Sequence, residues 1–386
     1  MPFFHQLGSV PRKRHTVFRQ ESGALHHEHL IGSLGFSGAS SLLYHVHPPT
    51  AVLSTRVLDE VVLQPDPDRA VRMRHFHLAE IAAVESPTLG RAPVLFNSDT
   101  VISIVRANGS DDFFYRNAQA DEIVYVSDGQ GVLESEFGEL PFKDGDYVVI
   151  PRGILHRYRA ASPSLRLLVV ESTSPVRPPA RYCNRSGQFL EHSPYCERDI
   201  RRPQDLATYD EAGEFRLVVK SGRVRTEVLL DHHPLDVVGW DGCYYPWALS
   251  IHDFEPITGS LHQPPPVHQT FESDGFVLCS FVPRLYDYHP EAIPVPYTHS
   301  NVHSDEVIYY ANDEFMSRSG ISYGSLTQHP AGIPHGPHPG RAEASIGKKR
   351  TDELAVMVDT FRPLTAALDI LEVEDPGYGR SWLGEG

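Results

Sequence analysis

Short apolar runs set off by turn-forming residues recur at close intervals along this chain. Ala51-Val-Leu-Ser-Thr, Glu122-Ile-Val-Tyr-Val, Tyr147-Val-Val-Ile, Leu167-Leu-Val-Val, Phe215-Arg-Leu-Val-Val, Phe276-Val-Leu-Cys-Ser-Phe-Val and Glu306-Val-Ile-Tyr-Tyr are rich in β-branched and aromatic residues. Strands of this length, bounded by Gly, Pro, Asn and Asp, predict a β-sandwich or barrel. Helical periodicity is scarce, best over residues 364–371 and weaker over 78–84. The predicted fold class is all-β with few short helices.

Two segments repeat. Gly145-x5-Pro151-x-Gly153-x2-His156 returns as Gly324-x5-Pro330-x-Gly332-x2-His335, and Tyr115-Arg-Asn-Ala-Gln-Ala-Asp-Glu122 aligns with His299-Ser-Asn-Val-His-Ser-Asp-Glu306. The glycines permit turns with φ > 0, and the proline can end a ladder where the chain bends. One unit therefore occurs twice, over residues 96–175 and from about Asp241 to Val358. A segment rich in Arg, Pro and Tyr, from Ser174 to about Tyr209, reads as a long irregular connection on the surface, and the closing Gly-Glu-Gly as a loose tail. The first 95 or so residues hold strand-like pieces and no motif. The expected division is residues 1–180, an N-terminal β extension plus a degenerate first barrel, and residues 181–386, the connection plus a second barrel.

At 386 residues and 40% apolar content the chain has ample core for two such units, and a net charge of -16 argues against nucleic acid as a partner. The N-terminus lacks the apolar core of a secretory signal, and no run is long enough to span a membrane. A cytoplasmic protein without membrane association is expected. The four cysteines lie far apart and read as free thiols. Many of the 22 histidines fall between His252 and His338, which directs attention to a metal in the second unit.

The two spacings resemble the paired motifs of the cupin family, small jelly-roll barrels, so the resemblance implies a bicupin. The second motif is matched as far as its histidine in both halves, with Ala160 and Pro339 where an Asn usually closes it. In the first motif, His-x-His followed by Glu, the second unit offers His299, Asn301 and Glu306, and His335 completes the set. Two histidines and a carboxylate form the facial triad that holds non-haem Fe(II) with open positions. The first unit has Tyr115 and Asn117 in place of histidines and retains Glu122 and His156, too few for a tight site, so that barrel is expected to be structural.

Phe281-Val-Pro-Arg284, Pro296-Tyr-Thr-His299-Ser-Asn301 and His329-Pro-Ala-Gly-Ile-Pro-His335-Gly-Pro337 resemble stretches of the homogentisate 1,2-dioxygenase family, which read Phe-Pro-Pro-Arg, Pro-Tyr-Tyr-His-Arg-Asn and His-x5-His-Gly-Pro. The likeness is closest to a shorter bacterial branch and extends to Ser41-Leu-Leu-Tyr-His-Val-His-Pro-Pro-Thr50. It implies His299, Glu306 and His335 as ligands of Fe(II), although six residues rather than the family's five separate His299 from Glu306. It further implies His262 as acid/base toward a ring hydroxyl, with His268 as the fallback, and His329, Tyr297 and Tyr309 as substrate contacts. Phe315 stands where the family has a substrate-contacting tyrosine, for which Tyr309, Tyr310 or Tyr323 could substitute. His303 and His338 are expected to lie outside the ligand set.

The activity so implied is extradiol-type cleavage of homogentisate by O2 to maleylacetoacetate, a step of tyrosine and phenylalanine catabolism, with Fe(II) as cofactor and a homo-oligomer as the assembly. Gentisate or another substituted hydroquinone is the nearest alternative. A zinc cupin isomerase and a non-enzymatic bicupin are the alternatives of other classes.

Overall fold

The β-branched runs become strands because each is flanked on both sides. In the computed structural model, which describes residues 3–315, 317–318 and 320–383, Asp121–Asp128 lies antiparallel between Asp146–Ile150 and Leu165–Ser172. Both of its faces are covered, which explains an unbroken apolar run where a half-exposed strand would alternate. All seven runs singled out in the sequence lie in strands. The closing Gly-Glu-Gly lies outside the described residues.

The duplication appears as one strand order used twice. Asp146–Ile150, Asp121–Asp128, Leu165–Ser172 and Thr100–Ala107 are consecutive neighbours in one sheet, and Ser325–His329, Asp305–Tyr310, Ala355–Thr360 and Phe276–Phe281 are consecutive neighbours in another. Gly145 and Gly324 (φ 83° and 78°) and Gly153 and Gly332 (φ 81° and 91°) occupy the left-handed region that the repeat requires of them. The first barrel is closed by a seven-stranded sheet that includes Gly131–Ser135, Gly138–Phe142, His156–Ala160 and Phe114–Asn117. The opposing wall of the second is irregular, built from the pair Arg284–Leu285 and Arg350–Thr351 and a backbone bridge between His299 and His335. The fold is a duplicated cupin, all-β, with one five-residue α-helix, Arg341–Ser345, among the described residues. No helix among them is long and apolar enough to cross a membrane.

The first 95 residues supply strands to several sheets. His27–Gly32 and Ser40–His45 form a four-stranded sheet with His5–Gly8 and Val237–Gly242, while Val52–Glu60 extends the seven-stranded sheet. Arg74–His77 pairs with Ser325–His329 of the second barrel, just as Trp247–Ser250, from beyond the first barrel, pairs with Asp146–Ile150. Thr365–Ala366 returns to pair with Phe96 and Leu95. That pairing corrects the helical reading of residues 364–371: two residues enter a sheet and only Asp369–Val373 coils, as a 3-10 turn. Leu78–Glu80 is likewise a single 3-10 turn. The barrels pack sheet on sheet, with Tyr125 against Tyr309, Tyr147 against Phe271, and the Tyr147 hydroxyl 2.8 Å from Ser280 Oγ.

Inside the first barrel a fixed cation occupies the ground between the carboxylates. The Arg91 guanidinium lies 2.9 Å from Glu122 Oε2 and 3.6 Å from Glu171 Oε1, and Lys220 Nζ lies 2.5 Å from Glu171. Asn117 donates to Glu122 at 2.9 Å and to Glu171 at 3.2 Å. Burial alone would raise the Glu122 pKa, but Arg91 outweighs it and holds it at about 2. Glu122 ionises at 4.5 when unperturbed, so its charge favours the folded state above that pH, and the contribution is lost as pH falls toward 2. Arg91→Met, which leaves the buried carboxylate uncompensated, is expected to cost about 3–5 kcal/mol at pH 7. Urea unfolding should show the gap between the two proteins narrowing between pH 7 and pH 3; a gap that stays constant would contradict this account.

Candidate metal centre

Glu306 is the second residue of Asp305–Tyr310, and strand alternation fixes its surroundings. Glu306 and Ile308 face the barrel interior and line its cleft, whereas Val307 and Tyr309 face the core shared with the first barrel. Across the ladder Glu306 pairs with His329 on one side and Asp359 on the other. His299 and His335 enter from outside the strands. Each N–H donates to the other's carbonyl, at 2.8 and 2.9 Å, which holds the two backbones side by side. The one-residue-longer spacing between His299 and Glu306 is absorbed in residues 300–304, before the strand begins.

The three side chains converge. Glu306 Oε2 lies 3.7 Å from His299 Nε2 and 3.6 Å from His335 Nε2, and each residue offers a ligand atom within 4.8 Å of the other two. Those separations exceed a hydrogen bond and suit an ion bonded at about 2.1 Å to each atom. His335 Nε2 is buried without a hydrogen-bond partner, while its Nδ1 faces the Ile333 carbonyl at 3.3 Å. An orphaned imidazole nitrogen aimed at a carboxylate is what a ligand without its metal looks like. The other Glu306 oxygen receives His329 Nδ1 at 2.8 Å, and His329 Nε2 meets the Tyr378 hydroxyl at 3.0 Å. This chain of contacts fixes the orientation of the carboxylate, the kind of support that metal ligands receive.

Charge points the same way. Burial would raise the Glu306 pKa, but the surrounding imidazoles of His299, His329 and His335 hold it well below the carboxylate range. The His299 pKa is raised by Glu306, and burial lowers that of His329 to about 4. Asp359, at the position of Glu171 in the first barrel, is pushed up to about 8 by burial and then by Glu306, and its Oδ1 lacks a hydrogen-bond partner. Two neighbouring buried carboxylates thus lack the Arg and Lys that neutralise their counterparts, so the residues fit a divalent cation.

The centre opens on a cleft walled by Phe281, Ile308, Phe315 and Met357. His262 lies in it with Nδ1 3.4 Å from Asp287 Oδ2 and its ring edge-on to Tyr297. His268 also lines the cleft but is buried, with its pKa lowered to about 3 by burial and then by Arg284. Two of the expected substrate contacts are turned away from it. His329 is fully buried behind Glu306, and Tyr309 bonds Ser127 in the core between the barrels. His303 is exposed and stands apart from the cluster, and His338 is buried against Trp382. Sequence reasoning missed Arg318, a buried cation in the cleft, together with Asp359 and Tyr378. A charged residue within the apolar run Ala355–Thr360 was the available signal for Asp359.

A family model described as the homogentisate 1,2-dioxygenase N-terminal region matches residues 89–251. A Saccharolobus solfataricus protein named "Putative dioxygenase SSO1533" is 42% identical over 385 residues, covering 99% of both chains. Homogentisate 1,2-dioxygenases of Bradyrhizobium diazoefficiens and Nitrobacter hamburgensis are each 28% identical, over 71% and 73% of this chain. The matches span 63% and 65% of those two longer proteins. A cupin 2 conserved barrel domain protein from Leptotrichia buccalis aligns with 78% of this chain and 100% of its own at a TM-score of 0.37 and 9% identity. The family match, the full-length similarity to the protein named "Putative dioxygenase SSO1533" and the similarity to two homogentisate 1,2-dioxygenases agree: the chain belongs to the homogentisate 1,2-dioxygenase family.

Proposed function

We propose that this chain is an Fe(II)-dependent dioxygenase that cleaves the ring of a hydroquinone bearing an acidic side chain, with homogentisate as the substrate. The observation that carries this reading is the convergence of His299, Glu306 and His335 at the floor of a cleft that also holds His262 and Arg318. When bound by these three residues, ferrous iron supplies redox chemistry and open coordination positions for an aromatic substrate and O2.

The remaining work falls to the chain itself. Arg318 is 5% exposed, and among the described residues it has no carboxylate partner. Its Nε has no hydrogen-bond partner. A buried guanidinium with an unused donor favours a carboxylate ligand, which matches the acidic side chain of the substrate. Arg284, the other cation of the cleft, is bound to Glu353 at 2.8 Å and is spoken for. His262 accepts the proton of a ring hydroxyl: it is partly exposed, so it can exchange protons with solvent, and Asp287 steadies its ring. His268, held neutral by burial, is the poorer base. The apolar wall of Phe281, Ile308, Phe315 and Met357 grips the ring and limits water around it.

Phe315 supports a second reading, because an apolar wall in place of the family's tyrosine suits a side chain with fewer polar contacts, as in gentisate. Oxygen uptake by protein loaded anaerobically with Fe(II) separates the two, and a kcat/KM for gentisate above that for homogentisate would displace the primary reading. Glu306→Ala is expected to abolish uptake with every substrate; retained activity would remove the metal centre from the reaction. His262→Asn is expected to lower kcat by roughly 10²–10⁴-fold while iron content stays unchanged, and an unaltered kcat would exclude it as the acid/base.

A further inference from the structure

A second group of two imidazoles and a carboxylate lies at the seam between the N-terminal sheet and the first barrel. His29 and His45 belong to the paired strands His27–Gly32 and Ser40–His45, where His45 faces His27 and His29 faces Leu43, so their rings meet diagonally on one face. Their centroids are 5.3 Å apart, with His29 Nδ1 3.3 Å from His45 Nε2. Glu136 reaches them from the turn between Gly131–Ser135 and Gly138–Phe142 of the barrel, and all three residues offer ligand atoms within 4.8 Å of one another. His45 and Glu136 are each 2% exposed.

Two features separate this group from a chance cluster. The first is the orientation of His45. Its Nδ1 lies 2.6 Å from Oδ1 of Asp236, a fully buried carboxylate whose other oxygen accepts the His47 backbone N–H at 2.7 Å. With Nδ1 committed to Asp236, the ring turns its Nε2 toward His29 and Glu136, the carboxylate–histidine–metal arrangement. The second is the poor solvation of Glu136. Its carboxylate takes the Leu155 N–H at 3.4 Å and stands 3.8 Å from Arg116, well beyond the 2.7–2.9 Å of a charge-assisted hydrogen bond. A buried carboxylate with such loose partners costs stability unless a cation satisfies it.

We propose that His29, His45 and Glu136 bind a divalent first-row metal ion, two imidazoles and a carboxylate being a donor set that accepts zinc among others, and that the ion clips the N-terminal sheet to the first barrel. The site is separate from the cleft and does not depend on the reaction assigned above. Arg116 is the competing counter-ion: if it closes on Glu136 in solution, the metal is not needed.

The full-length chain carrying Glu306→Ala and His335→Ala disables the cleft and leaves this group intact. After stripping with a chelator, titration with zinc against a chromophoric competitor is expected to give one ion per chain, and zinc is expected to raise the unfolding temperature. Adding His29→Ala or the conservative Glu136→Gln should weaken zinc binding at least about tenfold and abolish the thermal shift, while circular dichroism stays unchanged. Absence of zinc binding, or an affinity that neither substitution alters, would overturn the proposal.

Discussion

Buried negative charge must be answered, and how each barrel answers it governs what the barrel can do. Both copies of the repeat place a glutamate on the central strand with an acidic residue beside it on the next, Glu122 with Glu171 and Glu306 with Asp359. In the first copy Arg91 and Lys220 are covalent parts of the chain and permanently present. In the second, imidazoles surround Glu306 and no arginine or lysine pairs with either acid among the described residues. Imidazole can donate a lone pair to a metal and guanidinium cannot, so the second barrel is suited to an exchangeable cation where the first has installed its own.

The rest of the architecture serves that difference. Strand alternation sends Glu306 and Ile308 into the cleft and Tyr309 into the packing between the barrels. The mutual backbone hydrogen bonds of His299 and His335 substitute for a regular sheet on the wall that must stay open. Irregular backbone is thereby confined to the side of the cleft, while the opposite side is a six-stranded sheet packed on the first barrel.

Much of this was legible in the chain because the motif residues are local. Glycine at positive φ and histidine at fixed distance from it are read from spacing, and so is the grouping of His299, Glu306 and His335, whose side chains converge. What escaped is cross-strand. Asp359 meets Glu306 through ladder register, 53 residues away in sequence, and Tyr378 reaches His329 from beyond the barrel. Arg318 sits in a loop whose course no periodicity encodes. The placement of Tyr309 was available and unused: three residues after Glu306 on a strand is an odd step, which must face the other way.

The strand exchange between the barrels bears on how the chain comes off the ribosome. Arg74–His77 has its partner in Ser325–His329, so it emerges about 250 residues before that partner exists. At about 5–20 residues per second this is a wait of roughly 12–50 s, during which one edge of a nascent sheet stays open. The six-stranded sheet waits for Ala355–Thr360, and the sheet of the first barrel, although most of it is made early, closes last of all, when Thr365–Ala366 arrives.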